Sequence, residues 1–108
     1  MGWSVETLNA VVDAELEELA ADMRARFHYI SHLIEEFGLE RVREPHVKHV
    51  HGPLWEMRMR GRDGISRAIY VTVSGRRVVV VRIFVKKTEK TPRREIELAL
   101  QRAQEIIQ

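Results

Sequence analysis

The sequence contains no cysteine, which excludes disulfides, thiolate metal sites and a thiol nucleophile, and fits a reducing cytoplasm. It has no apolar run near the roughly 20 residues that a membrane span requires. Its opening, "MGWSVETLNA", has no basic flank leading into an apolar run, so no secretory leader is expected. Met1-Gly2 fits the start of a myristoylation pattern only loosely, and no second membrane signal accompanies it. A Gly-rich phosphate loop, a GxSxG elbow, internal repeats and low-complexity tracts are all missing. With 108 residues, 44% hydrophobic and 31% charged, the chain reads as one globular domain, residues 1–108, with one modest core.

Charge is plentiful and unevenly placed. Residues 1–57 carry 5 Lys+Arg against 11 Asp+Glu, a balance of −6; residues 58–108 carry 13 against 5, a balance of +8. Interspersed charge keeps a protein soluble, whereas segregated charge predicts a basic region that attracts polyanions.

"VETLNA" reads as a short first strand or lead-in, with Trp3 and Val5 on a buried face. Asp13 is the expected helix cap. Leu16, Leu19, Met23, Phe27, Ile30, Ile34 and Phe37 then recur at helical spacing. They form one long helix or two with a bend near residues 20–22, the second capped by Asp22, with Gly38 as C-cap. Glu15, Glu17, Glu18 and Asp22 are expected on the solvated face. The period then changes to two in "LWEMRMR" (54–60), "ISRAIYVTV" (65–73) and "RVVVVRIFVKK" (77–87). The connecting "GRDG" and "SGR" suit tight turns, so the strands form an antiparallel meander. Thr91 as cap and Pro92 at the first helical position open a last helix through Ile96, Leu100, Ala103 and Ile107. The predicted class is α+β: a two-layer sandwich with an N-terminal helix or helix pair, an antiparallel sheet of three to four strands, and a C-terminal helix.

Alternation assigns the side chains to faces. Trp55, Met57 and Met59 share the core face of the first sheet strand, leaving Glu56, Arg58 and Arg60 on the other. In the last strand Val81, Ile83 and Val85 oppose Arg82, Phe84 and Lys86. In the middle strand parity is ambiguous, since Arg67 shares its side with Ile69 and Val71 and Tyr70 shares the other with Ala68; Arg67 is placed on the open face and Tyr70 inside or at the edge. Lys87, Lys90, Arg93 and Arg94 are expected to rim this surface. Cations around an aromatic ring suit phosphates and a stacked base of DNA or RNA alike, so Arg60, Arg82, Phe84, Lys90, Arg93 and Arg94 are the candidate nucleic-acid-binding residues. Against this stands a face merely solvated by long charged side chains. His28 and His32 have a spacing compatible with two metal ligands but lack a third. His46, His49 and His51 fit a polar connecting segment. No metal or cofactor is predicted.

"FVKKTEKTPRREIELALQRAQE" resembles the F-x-K-K-T-x-K-T-P…E-I-x-x-A signature of the phage-type HigB branch of the RelE/ParE toxin superfamily. "LWEMRM" and "ISRAIY" fall where that branch has its W-E-x-R and R-x-x-Y strands, and "VKHVHGPLWE" matches the approach to them. The departures are Glu89 where glutamine is usual and Ala20 where proline is common. The resemblance implies a RelE-like sandwich and the toxin of a type II toxin–antitoxin pair. It implies a cytoplasmic endoribonuclease that enters the ribosome, cuts messenger RNA and so inhibits translation. Its expected partners are the ribosome and message, and a HigA-like helix-turn-helix antitoxin that alone contacts operator DNA; no membrane partner is implied.

Metal-independent scission uses the 2′-hydroxyl as nucleophile, and needs stabilised phosphate charge and a proton for the leaving oxygen. Arginines supply permanently charged phosphate clamps, and a lysine crowded by cations is biased toward giving up its proton. Arg58 and Arg67 are the expected phosphate stabilisers, with Lys86 or Lys87 as proton donor or charge stabiliser. Glu56 is a general base or the ion-pair partner that orients Arg58. The alternatives are a ParE-like gyrase inhibitor and a non-catalytic nucleic-acid-binding module.

Overall fold

A computed structural model describes residues 2–87 and 90–106. In order it contains β1 (Ser4–Thr7), α1 (Ala10–Glu17), α2 (Ala21–Phe37), a 3-10 turn (Leu39–Arg41), β2 (Val47–His51), β3 (Leu54–Gly61), β4 (Gly64–Val73), β5 (Arg77–Lys86) and α3 (Arg93–Ala103). The strands form one sheet in the order β1-β5-β4-β3-β2. β1 runs parallel to β5, and the other pairings are antiparallel. The α+β class expected from the sequence therefore holds, with five strands in a mixed sheet where three or four antiparallel ones were predicted. The meander over 54–87 is present almost to the residue. The two additional strands are the edges, which are short and lack a run of alternating apolar residues.

The helices divide between the two sheet faces. Val12 and Leu16 of α1 and Met23, Phe27, Ile30 and Ile34 of α2 pack with Met57, Met59, Ala68, Tyr70, Val78, Val80 and Ile83. Ala99 and Ala103 of α3 pack with Leu54, Ile69, Val71, Val79, Val81 and Phe84 on the opposite face. One-sided packing of all three helices, as the sequence suggested, is therefore corrected. The near-continuous valines of β5 are the physical sign of this: a strand covered on both faces has no solvent side to mark with polar residues.

A bulge adjusts β5 between these layers. Ile69 faces Arg82 and Tyr70 faces Val80, so Val81 is the extra residue. Val81 thus joins Val79 under α3, while Ile83 faces α1 and α2. The expected alignment of Val81, Ile83 and Val85 on one side does not occur, and Val85 is exposed.

The helical seam is broken where a bend was allowed. Asn9, not Asp13, caps α1, its side chain accepting from the Val12 N–H at 3.1 Å. Asp13 instead lies in the first turn, where it accepts from the Thr7 hydroxyl. Arg24 donates to the carbonyls of Glu17 and Leu19 and closes the end of α1. Ala20 occupies the cap position of α2 without a side-chain bond, and Asp22 turns away to accept from the Arg62 N–H at 2.6 Å. That contact fastens α2 to the β3–β4 hairpin. Gly38 ends α2 with φ +92, and its N–H donates to the Ile34 carbonyl at 2.9 Å. Phe37, placed on the seam by spacing, is exposed. The predicted apolar position Ile107 lies outside the described residues. No helix among the described residues is long and apolar enough to cross a membrane.

Candidate nucleic-acid interface

Strand register arranges the face beneath α3 into rows. Arg60, Ile65 and Lys86 are cross-strand neighbours in the first, Arg58, Arg67 and Phe84 in the second, and Glu56, Ile69 and Arg82 in the third. Directly opposed side chains in a sheet stand about 5 Å apart, and successive rows about 7 Å apart. α3 covers the apolar far end of this face, and the end bearing Arg58, Arg60 and Lys86 extends beyond it. The convergence predicted from alternation is thus present for Glu56, Arg58, Arg60, Arg67 and Lys86.

Their exposure differs from the prediction. Arg67 is 2% exposed and Lys86 7%, while Arg58 is half-buried and Arg60 exposed. The centre is a floor overlaid by neighbouring groups, not an open cationic plain. Arg67 Nη1 donates to Glu56 Oε2, and the Thr91 hydroxyl donates to Glu56 Oε1 at 2.8 Å. Glu56 therefore orients Arg67, where the sequence reading paired it with Arg58. Thr91, expected as a helix cap, uses its hydroxyl for this contact, and Pro92 takes the cap position ahead of Arg93. The Thr91 bond also holds the residues just ahead of α3 against Glu56. Lys87 and Lys90 are exposed, as are Arg93 and Arg94 in the first turn of α3. Arg93 reaches Glu97 at 3.3 Å, a fully solvated contact worth little. Glu89, the departure noted in the motif, lies outside the described residues.

Two predicted RNA contacts are corrected. Arg82 Nε and Nη2 donate to Glu95, at 2.6 and 3.2 Å, and its Nη1 donates to Glu15 at 2.8 Å. The guanidinium is bound on both sides, so Arg82 joins α1 to α3 and is not offered to a ligand. Phe84 is buried against the α3 cluster with the Arg82 guanidinium over its ring at 5.8 Å, so it does not serve as a stacking surface. Parity alone placed both residues correctly and missed the layer that covers them.

Glu15, expected in water, is the hub of that network. It accepts from Arg82, from Arg102 Nη1 at 3.1 Å and from the Ile83 N–H at 3.0 Å. Burial alone raises its carboxyl; the hydrogen bonds from Arg102, Ile83 and Arg82 outweigh that and hold it below the usual carboxylate range. The Glu95 bonds, partly opposed by burial, push the Arg82 guanidinium further up. At the surface, the Arg77 bond lowers Glu6. Three acidic residues of the N-terminal half, Glu6, Glu15 and Glu56, thus neutralise arginines of the basic half. Segregation along the chain is partly undone in space.

Other candidates do not assemble. Among the described residues no group of three or more His, Asp or Glu side chains is placed to hold a metal ion. His32 instead approaches Glu36 at 3.9 Å, and the His28 ring meets Phe27 edge-on. His49 packs edge-on against Trp55 and contacts the Gly52 carbonyl at 2.9 Å. Trp55 leaves the core at the sheet end and lines a groove of about 850 Å³ with Trp3, Tyr70 and Val47. Sequence reasoning missed the role of Thr91, and it missed Arg26 and His46, which line one pocket with Arg58, and Tyr29, which contacts both of them. The helical register of α2 held a hint, since Arg26 and Tyr29 fall three apart and away from the buried seam.

The family model described as Phage derived protein Gp49-like (DUF891) matches residues 14–104. No curated protein matches the chain.

Proposed function

The chain belongs to the Gp49-like family of phage-derived proteins, a toxin-like family related to RelE and ParE, and we propose on that premise that it is a HigB-type endoribonuclease acting on translated messenger RNA. The observation that carries the reading is the Arg58–Arg67 pair, set in one row across β3 and β4 with Lys86 in the next. Arg67, locked by Glu56, presents a fixed guanidinium. Arg58, half-buried and opposite, supplies a second. A phosphate held at Arg58 is backed by the buried Arg67 charge, whose orientation Glu56 already fixes before charge grows at phosphorus.

In the proposed step the 2′-hydroxyl oxygen attacks the adjacent phosphorus and the bond to the 5′ oxygen breaks, leaving a 2′,3′-cyclic phosphate and a 5′-hydroxyl. Lys86, with an ammonium proton to give, protonates the departing 5′ oxygen, and the 2′-hydroxyl proton passes to solvent. Lys87 and Lys90 supply surface charge to the incoming strand. Glu56 is a positioning residue on this reading, because both of its oxygens already accept hydrogen bonds. The proposed regulatory partner is a HigA-like helix-turn-helix antitoxin encoded beside the toxin.

The test is a cell-free translation reaction given purified protein, with new 5′ ends mapped on the message. Cleavage by the wild type and its loss in Arg67→Ala and Lys86→Ala is the expected result. Loss of DNA supercoiling with intact message would identify a gyrase inhibitor instead. Intact message and unchanged supercoiling would leave a non-catalytic binding module.

A further inference from the structure

β2 begins at Val47, opposite Met57, so β3 runs past it from Arg58 to Gly61 as an open sheet edge. The Arg58 N–H still donates to the His46 carbonyl at 2.8 Å. Beyond that bond a pocket of about 230 Å³ opens, lined by Arg26, Pro45, His46, Arg58, Arg60 and Ile65. None of its three arginines forms an ion pair among the described residues, in contrast to Arg67 and Arg82 on the same sheet face. Three guanidiniums around one concavity repel one another and focus positive potential into it, and an anion relieves that repulsion. Their planar forks match phosphate oxygens.

The rim adds a second feature. Tyr29, 48% exposed, lies three residues beyond Arg26 on α2, and the Arg26 guanidinium sits over its ring at 5.3 Å. The His46 ring meets Tyr29 edge-on, with centroids 6.1 Å apart. Exposed aromatic rings and guanidinium planes are the surfaces on which unpaired bases stack. Protecting an open strand edge from aggregation accounts for charge there, but it does not call for an exposed tyrosine under one of the cations.

We infer that this edge pocket is a second nucleotide subsite for single-stranded RNA, with Arg26, Arg58 and Arg60 holding a phosphate and Tyr29 stacking the attached base. The inference rests on the proposed ribonuclease reading, since Arg58 belongs to both places and joins them. The strand leaves the Arg58–Arg67 row, passes Arg58 and enters the pocket with its next phosphate. The subsite thereby fixes the direction in which a message crosses the sheet.

The experiment measures binding of a short fluorescein-labelled single-stranded RNA by anisotropy across a salt series. It uses the full chain freed of antitoxin, with thermal melting as a check on folding. Arg26→Gln and Arg60→Gln are each expected to flatten the slope of log affinity against log salt by about 0.7, one phosphate contact on a single strand. Tyr29→Ala is expected to weaken binding about tenfold with the slope unchanged, and Tyr29→Phe to bind as the wild type does. Wild-type affinity and slope in Arg26→Gln and Tyr29→Ala, while Arg58→Gln binds weakly, would overturn the subsite and leave the ribonuclease reading standing. A wild type that binds no RNA and cuts no message would overturn both.

Discussion

Arg58 on β3 and Arg67 on β4 stand directly opposite one another, and one carboxylate, Glu56, reconciles them. Like charges directly opposed across a sheet are destabilising, and here one of the two is also almost wholly buried. Glu56 lies two residues before Arg58, on the same face, and binds Arg67. The sheet thereby holds two guanidiniums side by side, with Glu56 paired to Arg67 and Arg58 in no ion pair among the described residues.

Removing that carboxylate should be costly. Glu56→Ala removes the carboxylate paired with the buried Arg67, and breaking a buried pair from one side typically costs up to about 3–5 kcal/mol. Replacing Arg67 by Met as well should recover much of the loss, because an apolar pair of similar volume is often as stable as the ion pair it replaces. Urea unfolding of the two single variants and the double variant measures the coupling; simple additivity would show that the pair is not a unit.

Arg58→Ala should affect cleavage more than stability. The side chain is half-buried and makes no ion pair among the described residues, so its loss should leave the melting temperature close to that of the wild type. Loss of one electrostatic donor to a transition state lowers turnover by about 10²–10³. Cleaved message per unit time in the translation reaction, compared at equal folded protein, reads this directly.

Thr91→Val tests which job Thr91 has. Loss of a helix cap destabilises by about 1 kcal/mol and frays α3. Loss of the bond to Glu56 leaves helix content intact and frees one oxygen of the carboxylate that positions Arg67. Unchanged far-UV circular dichroism with reduced cleavage is expected. Reduced helicity would restore the capping role read from the sequence.

Acid should unfasten the Glu15 hub. Its carboxyl is depressed in the folded state, so the folded protein binds fewer protons there than the unfolded chain. The stabilisation is complete above the unfolded carboxylate value of about 4.3 and is lost as pH falls through the lower, folded value. Melting temperature should therefore fall through that acidic window, and Glu15→Gln should flatten the fall while starting lower at neutral pH. Deleting charge-assisted hydrogen bonds of this kind costs about 1.5–3 kcal/mol each.

Gly61 should tolerate no side chain. A Cβ there meets Met23 Cγ at 2.7 Å and the Asp22 carboxylate at 2.9 Å, where α2 is fastened to the hairpin. Gly61→Ala is expected to destabilise by about 1–3 kcal/mol through this overpacking, read as a lower urea midpoint with an unchanged slope.

Much of the architecture could be read from local pattern. The alternation in "LWEMRMR" and the valine run from 78 to 81 specify their strands because a pleat puts every second side chain on one face. The same rule placed Arg58 and Lys86 on one face; it left Arg67 ambiguous, because Ile69 and Val71 share its side, and the register opposite Arg58 decided it. It failed at Arg82 and Phe84, since alternation says which face a side chain leaves from and nothing about what lies above that face. It was silent on the bulge at Val81, which depends on how β5 accommodates β4 on one side and β1 on the other. Glu15 was misread because a carboxylate on a helix surface looks solvated until a second element brings arginines to it.

The order of residues by itself determined the central meander, the helical seam, the shared face of Arg58 and Lys86 and the family signature, because each depends on contacts or periodicities within a few residues. Only the tertiary structure decided which cations are consumed and which remain available. Glu6, Glu15 and Glu56 reach arginines 71, 67 and 11 positions away, whereas Arg26 is delivered from α2 to Arg58 and Arg60, and none of these three forms an ion pair among the described residues. Charge acts through space, and distance in space is set by packing the layers together, which no local pattern encodes.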